Sequence, residues 1–253
     1  MFDLTNWLMV FVRVSALFSV FPIFSARNFP VQLRLALGAV IATVISPTLP
    51  PATIATSDFW SLVGCLAIEA GVGLLFGFAS RIIFFALDMA GAVISTEIGL
   101  SLPANVNPLS DTQSVAPSLI LYYLAAMLWL TLDLHHWLLI GFQRTYAFLP
   151  VGGAQVSAPL VNDIIRRTSM TFVIALQLAA PVMAVSFIIS LVFSVLGRAV
   201  PQMNVFAESF SLRILVGLGV FGLTMQLMSQ HIINYLHRLP EDVLQVAQLL
   251  GAH

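Results

Sequence analysis

Five ionisable residues stand inside stretches that are otherwise apolar: Arg13, Glu69, Asp88, Glu97 and Asp133. Each costs about 2.5–3.5 kcal/mol at the centre of a membrane-inserted helix, so such groups turn toward protein or water. Two kinds of chemistry are open to them: pairing that holds helices together, or a part in a conduction path. Arg81 and Asp88 are seven residues apart and share a helix face. Asp88 and Glu97 are nine apart and so point to opposite sides of a helix. Polar groups on two faces suit a helix with protein or water on both sides better than one lying against lipid.

Asp133, His135 and His136 form a second cluster of ligand-type residues. Adjacent histidines diverge by about 100° on a helix, which argues against a shared metal, and no motif places a third ligand, so no metal site is expected. The single cysteine, Cys65, lies in an apolar run, where it reads as a small buried hydrophobe and forms no disulfide within the chain. No phosphate loop, nucleophile elbow or paired-histidine zinc motif is present. An enzyme is therefore disfavoured, and no cofactor is called for.

The elements that must carry these residues are set by composition. Of 253 residues, 59% are hydrophobic and 8% charged, against roughly 25% charged in soluble domains, and the mean hydropathy is +0.99. The chain is a membrane protein of the all-α class. Ten arginines, no lysine and eleven acidic residues leave a net charge of −1, which offers no footprint for nucleic acid.

Spans need about 20 apolar residues, and seven candidates appear, at about 7–24, 33–49, 59–78, 82–100, 116–140, 169–196 and 211–236. The third and fourth are separated only by Ala79-Ser80-Arg81, which predicts a tight hairpin or one bent helix. If all seven cross, seven arginines fall on one side and two on the other, placing the amino terminus outside and the carboxyl terminus in the cytoplasm. No extramembrane domain is expected. Small residues recur along two of the candidates: Ala67, Gly71, Gly73 and Gly77, then Gly91, Ser95 and Gly99. Small-xxx-small faces allow close helix packing in lipid. The partners could be this chain's own helices or another subunit. The two halves lack the self-similarity of an inverted-repeat transporter for small solutes.

Two connections stand out. The segment 197–210, GRAVPQMNVFAESF, lies between two long apolar runs and reads as a hairpin tip. Pro201 stops the incoming helix, Gln202 and Asn204 can donate and accept hydrogen bonds, and Met203 and Phe206 are apolar groups at a turn beside Arg198. The mid-chain loop 102–114 sets Asn105, Asn107, Ser110 and Asp111 around Pro103 and Pro108. Such a loop can move without melting a helix.

The tip segment resembles the signature of the FliR family of type III export-gate proteins. The run RVSALFSVFPIFSARNFPVQLRLALG from Arg13, the loop NPLSDTQS, the helix with LDLHHWLL and the following LPVGG resemble the flagellar branch in the same order, and the likeness covers essentially the whole chain. The injectisome branch, which secretes virulence effectors, is the alternative. The resemblance implies about six to seven long hydrophobic helices and helical hairpins, with a FliP-like part over 1–168 and a FliQ-like hairpin with a cytoplasmic tail over 169–253, packed in a helical hetero-oligomer. It further implies FliP and FliQ as partners in the gate, FlhB and FlhA nearby, and unfolded rod, hook and filament subunits as cargo. The place implied is the bacterial inner membrane at the flagellar basal body. The implied roles are subunit contact for Arg198, Pro201, Gln202, Met203, Asn204 and Phe206, and a part in the closed gate for the mid-chain loop. Helices in such an assembly need not cross a flat bilayer.

Overall fold

The computed structural model describes residues 3–25, 29–50, 59–100, 116–200, 202 and 204–251. Side chains of 205–207 lie outside the description, as does the whole of the loop 102–114 and with it Pro103, Asn105, Asn107, Pro108, Ser110 and Asp111.

The described residues are almost wholly helical and include no strand. In chain order the helices are α1 (Leu4–Val20), α2 (Pro22–Ser25), α3 (Val31–Ile45, continued by a 3₁₀ turn over Ser46–Thr48), α4 (Phe59–Ile98), α5 (Ala116–Thr131), α6 (Leu134–Phe148), α7 (Ala158–Ala199), α8 (Val205–Leu236) and α9 (Leu239–Gly251). The chain is all-α with several long apolar helices, the class its composition demanded. Among the described residues, four stretches are long and apolar enough to cross a membrane: Val31–Thr48, Phe59–Ile98, Ala158–Ala199 and Glu208–Gly251. The pair α5 and α6 makes a fifth if taken together, and α1 is a shorter apolar helix.

Three departures from the sequence-based spans have local causes. The candidates 59–78 and 82–100 join in one continuous helix, α4, which ends at Ile98. Ala79-Ser80-Arg81 contains neither glycine nor proline, and polarity alone does not end a helix: Ser80 returns its hydroxyl to the Phe76 carbonyl at 2.9 Å. With α4 unbroken, the alternation of sides behind the arginine count no longer holds. Conversely, the candidate 116–140 is broken at Leu132–Asp133, where Asp133 takes a left-handed conformation with φ 53°. Finally, α7 begins eleven residues before the expected start at 169 and runs through Pro181 to Ala199. Proline removes one helical hydrogen bond without ending a helix held by its surroundings. At 40 and 42 residues, α4 and α7 each extend about 60 Å. That is twice a hydrocarbon layer of about 30 Å.

The chain divides into two compact units, each assembled from separated segments. The first takes Met1–Ile82, Leu130–Thr168 and Leu236–His253. In it Asp3 caps α1 by accepting from the Thr5 and Asn6 amides, and Pro22 holds Phe21 extended and ends that helix. Helix α1 packs on α3, joined by the Trp7 indole donating to the Thr43 hydroxyl at 3.0 Å. Helix α9 packs on α6 through Leu239, Val243, Val246, Ala247 and Leu250, a buried stripe at helical spacing. The second unit takes Ile83–Trp129 and Ser169–Tyr235. There Arg213 on α8 donates to the Ser190 hydroxyl on α7 at 2.8 Å. Contact between residues equally far from the intervening turn makes α7 and α8 an antiparallel hairpin.

Candidate functional site

Arg13 of α1 and Glu69 of α4 are both fully buried and face each other in the first unit. The guanidinium engages the carboxylate with two donors: Nε meets Oε2, and Nη2 meets Oε1 at 2.9 Å. Its remaining nitrogen, Nη1, donates to the Leu149 carbonyl at 3.3 Å. The Tyr146 ring lies 4.2 Å from the guanidinium carbon, a cation–π contact. Glu69 Oε1 also accepts the Gly152 amide at 2.8 Å. The two charges therefore neutralise one another and pin the turn after α6. A buried fork–fork pair whose third nitrogen is bonded to a backbone carbonyl is built to hold helices together, so this geometry is a clamp.

Helices α1 and α4 can come this close because of two glycines. A Cβ on Gly73 would collide with the Arg13 carbonyl oxygen and the Ala16 methyl, and one on Gly77 would sit 2.8 Å from the Leu17 carbonyl oxygen and from the Val20 Cβ. In the second unit Gly91 lies against the Ser118 backbone, and Gly99, with φ +89°, lies under the Phe210 ring. A Cβ on Gly64, Gly71, Gly219 or Gly222 would meet nothing within 4 Å.

The other three intra-span charges are arranged differently. Asp88 is exposed, and its carbonyl accepts the Ser118 hydroxyl at 3.0 Å. Glu97 is half-buried, its carbonyl accepting the Ser186 hydroxyl at 3.2 Å. Asp133 is exposed at the left-handed turn before α6. At that turn the imidazoles of His135 and His136 are 4.1 Å apart by centroid, and the Asp133 carboxylate lies 4.0 and 3.8 Å from them. The divergence expected of adjacent helical histidines is overcome by the length of the side chains in a first helical turn.

At the hairpin, α7 ends at Ala199 and α8 begins at Val205. Arg198, Gln202 and Asn204 are exposed. Pro201, Met203 and the Phe206 side chain lie outside the described residues.

Sequence patterns did not point to a second polar group in the first unit. Arg167 on α7 meets Asp163 one turn before it and Asp242 on α9, and donates to the side-chain amide oxygen of Gln245, Oε1, at 2.8 Å. The i,i+4 spacing of Asp163 and Arg167 was the available signal. The same unit holds an apolar cavity of about 590 Å³ lined by Val20, Ile68, Gly71, Leu75, Phe78 and Val156, with no ionisable group in its wall.

The sequence profile of the bacterial export proteins, family 1, matches residues 4–239. Similarity to curated proteins extends as far. The flagellar biosynthetic protein FliR of Escherichia coli (strain K12) is 29% identical over 253 residues, covering 97% of this chain and 96% of that protein. FliR of Bacillus subtilis (strain 168) is 30% identical, covering 83% of this chain and 82% of that protein. FliR of Caulobacter vibrioides is 28% identical at 86% and 87% coverage. The chain belongs to the FliR family of bacterial export proteins. Within the FliR match fall the ion pair, the α7–α8 hairpin and the Asp133 turn alike. The match ends at Leu239, the first residue of α9. This FliR-family chain is thus a component for export built from membrane-type helices, and its relatives are named for the flagellum.

Proposed function

We propose that this protein is a core subunit of the flagellar type III export gate in the bacterial inner membrane, forming with FliP and FliQ the channel for unfolded rod, hook and filament subunits. The observation that carries this reading is full-length similarity to flagellar FliR proteins, over 97% of the chain in one case. In the same reading residues 1–168 are the FliP-like part and 169–253 the FliQ-like part, and FlhB and FlhA are neighbours at the basal body. The tip residues Arg198, Pro201, Gln202, Met203, Asn204 and Phe206 contact other subunits. The loop 102–114 belongs to the closed gate, and helices α4 and α7 sit inside the assembly, where lengths near 60 Å meet protein. The work is passage of a polypeptide; the clamp at Arg13 and Glu69 keeps the scaffold in shape while cargo moves.

A clean gene deletion with plasmid complementation tests the reading, with flagellin and hook protein measured in supernatant and cells. Loss of both from the supernatant, restored by the plasmid, is expected. Normal flagellar export in the deletion strain overturns it, and loss of effector secretion there would assign the chain to the injectisome branch. Shortening the loop 102–114 is expected to let small ions leak through the closed gate; unchanged leak with normal export makes it a connector.

A further inference from the structure

We infer that Asp133, His135 and His136 form a surface site for a first-row transition cation, for which Zn²⁺ is the natural probe. Each of the three side chains offers one ligand atom, and these atoms lie within 4.8 Å of one another. Donors around a single zinc ion, each at about 2.0–2.2 Å, stand roughly 3–4 Å apart. The carboxylate is already 3.8 Å from His136 Nδ1 and 4.0 Å from the half-buried His135 Nε2, so closing on an ion takes small rotations of the Asp133 and His136 side chains. Asp133 is 71% exposed and His136 66%, which makes those rotations inexpensive.

The backbone prepares the site in two ways. Asp133 holds a left-handed conformation and precedes α6, but its carboxylate makes no capping hydrogen bond to that helix. An aspartate at this position ordinarily caps the first turn; here it is turned to the imidazoles instead. The His136 amide donates to the Asp133 carbonyl at 3.0 Å, which fixes the turn and leaves the carboxylate oxygens available. Two imidazole nitrogens and one carboxylate oxygen form a donor set that zinc, nickel and copper favour over magnesium or calcium. Three protein ligands leave at least one coordination position for water or for a donor from another chain. The positive end of the α6 dipole opposes a cation, so micromolar affinity is expected.

The test uses the full-length chain in detergent, purified through a tag that contains no histidine and titrated with ZnCl₂ by calorimetry. One saturable equivalent is expected, with Asp133→Asn and His136→Ala each weakening it at least roughly tenfold and His231→Ala, on α8, leaving it unchanged. Co²⁺ absorbance in the visible range gives a second readout of the same coordination. Should a variant lose helical content, His136→Gln at its exposed position decides in its place. Absence of saturable binding in the wild type, or equal affinity in the ligand variants, overturns the proposal, as does an equal loss in His231→Ala.

Discussion

The α1–α4 contact of the first unit and the α7–α8 hairpin of the second meet apolar surroundings in opposite ways. In the first, the buried charges and two backbone groups of the following turn are answered from within the unit: Arg13 by Glu69, the Leu149 carbonyl by Arg13, the Gly152 amide by Glu69. At this contact Gly73 and Gly77 of α4 lie against the α1 backbone. The hairpin leaves large side chains open, with Phe187 63%, Leu215 74% and Leu223 84% exposed. A Cβ on Gly219 or Gly222 of its outgoing helix would meet open space. The α1–α4 contact is closed by folding, whereas the outward faces of the hairpin present a surface for lipid or protein to finish. The charges follow the same division: among the described residues the fully buried ion pair lies at the α1–α4 contact.

The sharpest way to break this contrast is to remove one member of the buried pair. Arg13→Ala or Glu69→Ala leaves an uncompensated buried charge, which costs about 3–5 kcal/mol. Either variant should fall sharply in membrane abundance and in the temperature at which detergent-solubilised protein loses its fold. Arg13→Met combined with Glu69→Leu should recover much of the loss, because an apolar pair needs no desolvation. If each single substitution is as stable as wild type, the clamp is not what holds α1 to α4.

The glycines give the next largest effect and compare the regions directly. Gly77→Ala places a methyl against the Leu17 carbonyl oxygen and the Val20 side chain, and a forced backbone shift costs about 1–3 kcal/mol. Gly222→Ala meets open space and raises helix propensity, so the isolated chain should be unchanged or up to about 1 kcal/mol more stable. Thermal denaturation of both variants side by side checks the contrast. Equal destabilisation would mean that the hairpin is packed as tightly as α4.

How far the sequence could foretell this differs by residue. The all-α class and the apolar helices follow from composition, and Arg13 and Glu69 were conspicuous as charges in apolar runs. Their pairing was not legible, because partners 56 residues apart share no periodicity. The Leu149 carbonyl and Gly152 amide are backbone groups and leave no mark in residue type. Helix boundaries misled where residue chemistry and backbone geometry part company. Arg81 suggested an interruption, yet it sits within α4 and reaches the Val20 carbonyl at 3.5 Å. Asp133 suggested none, yet it takes the left-handed turn that separates α5 from α6. Aspartate visits that conformation more readily than most residues, but sequence alone does not say when it will.

A smaller effect is expected at the hairpin's own polar contact. Arg213→Ala removes the bond to Ser190, worth about 1 kcal/mol for an intramolecular hydrogen bond. Abundance should fall slightly, and Ser190→Ala combined with it should add little. Additive losses would show that the two side chains act on different neighbours and that the helices are held together by other means.

The least effect on folding, and the cleanest probe of what covers the hairpin, belongs to Leu223. The side chain is 84% exposed, so Leu223→Gln removes almost no contact made within the chain, and stability in detergent should stay within about 0.5 kcal/mol of wild type. If another subunit covers this face, the buried amide is left unsatisfied in the assembly and flagellar export should fall while chain abundance holds. If lipid covers it, one polar amide on a long apolar helix is tolerated and export continues. Loss of abundance in detergent would contradict both outcomes, because it would require Leu223 to be packed inside the chain, and with it the contrast between a closed α1–α4 contact and an unfinished hairpin would fail.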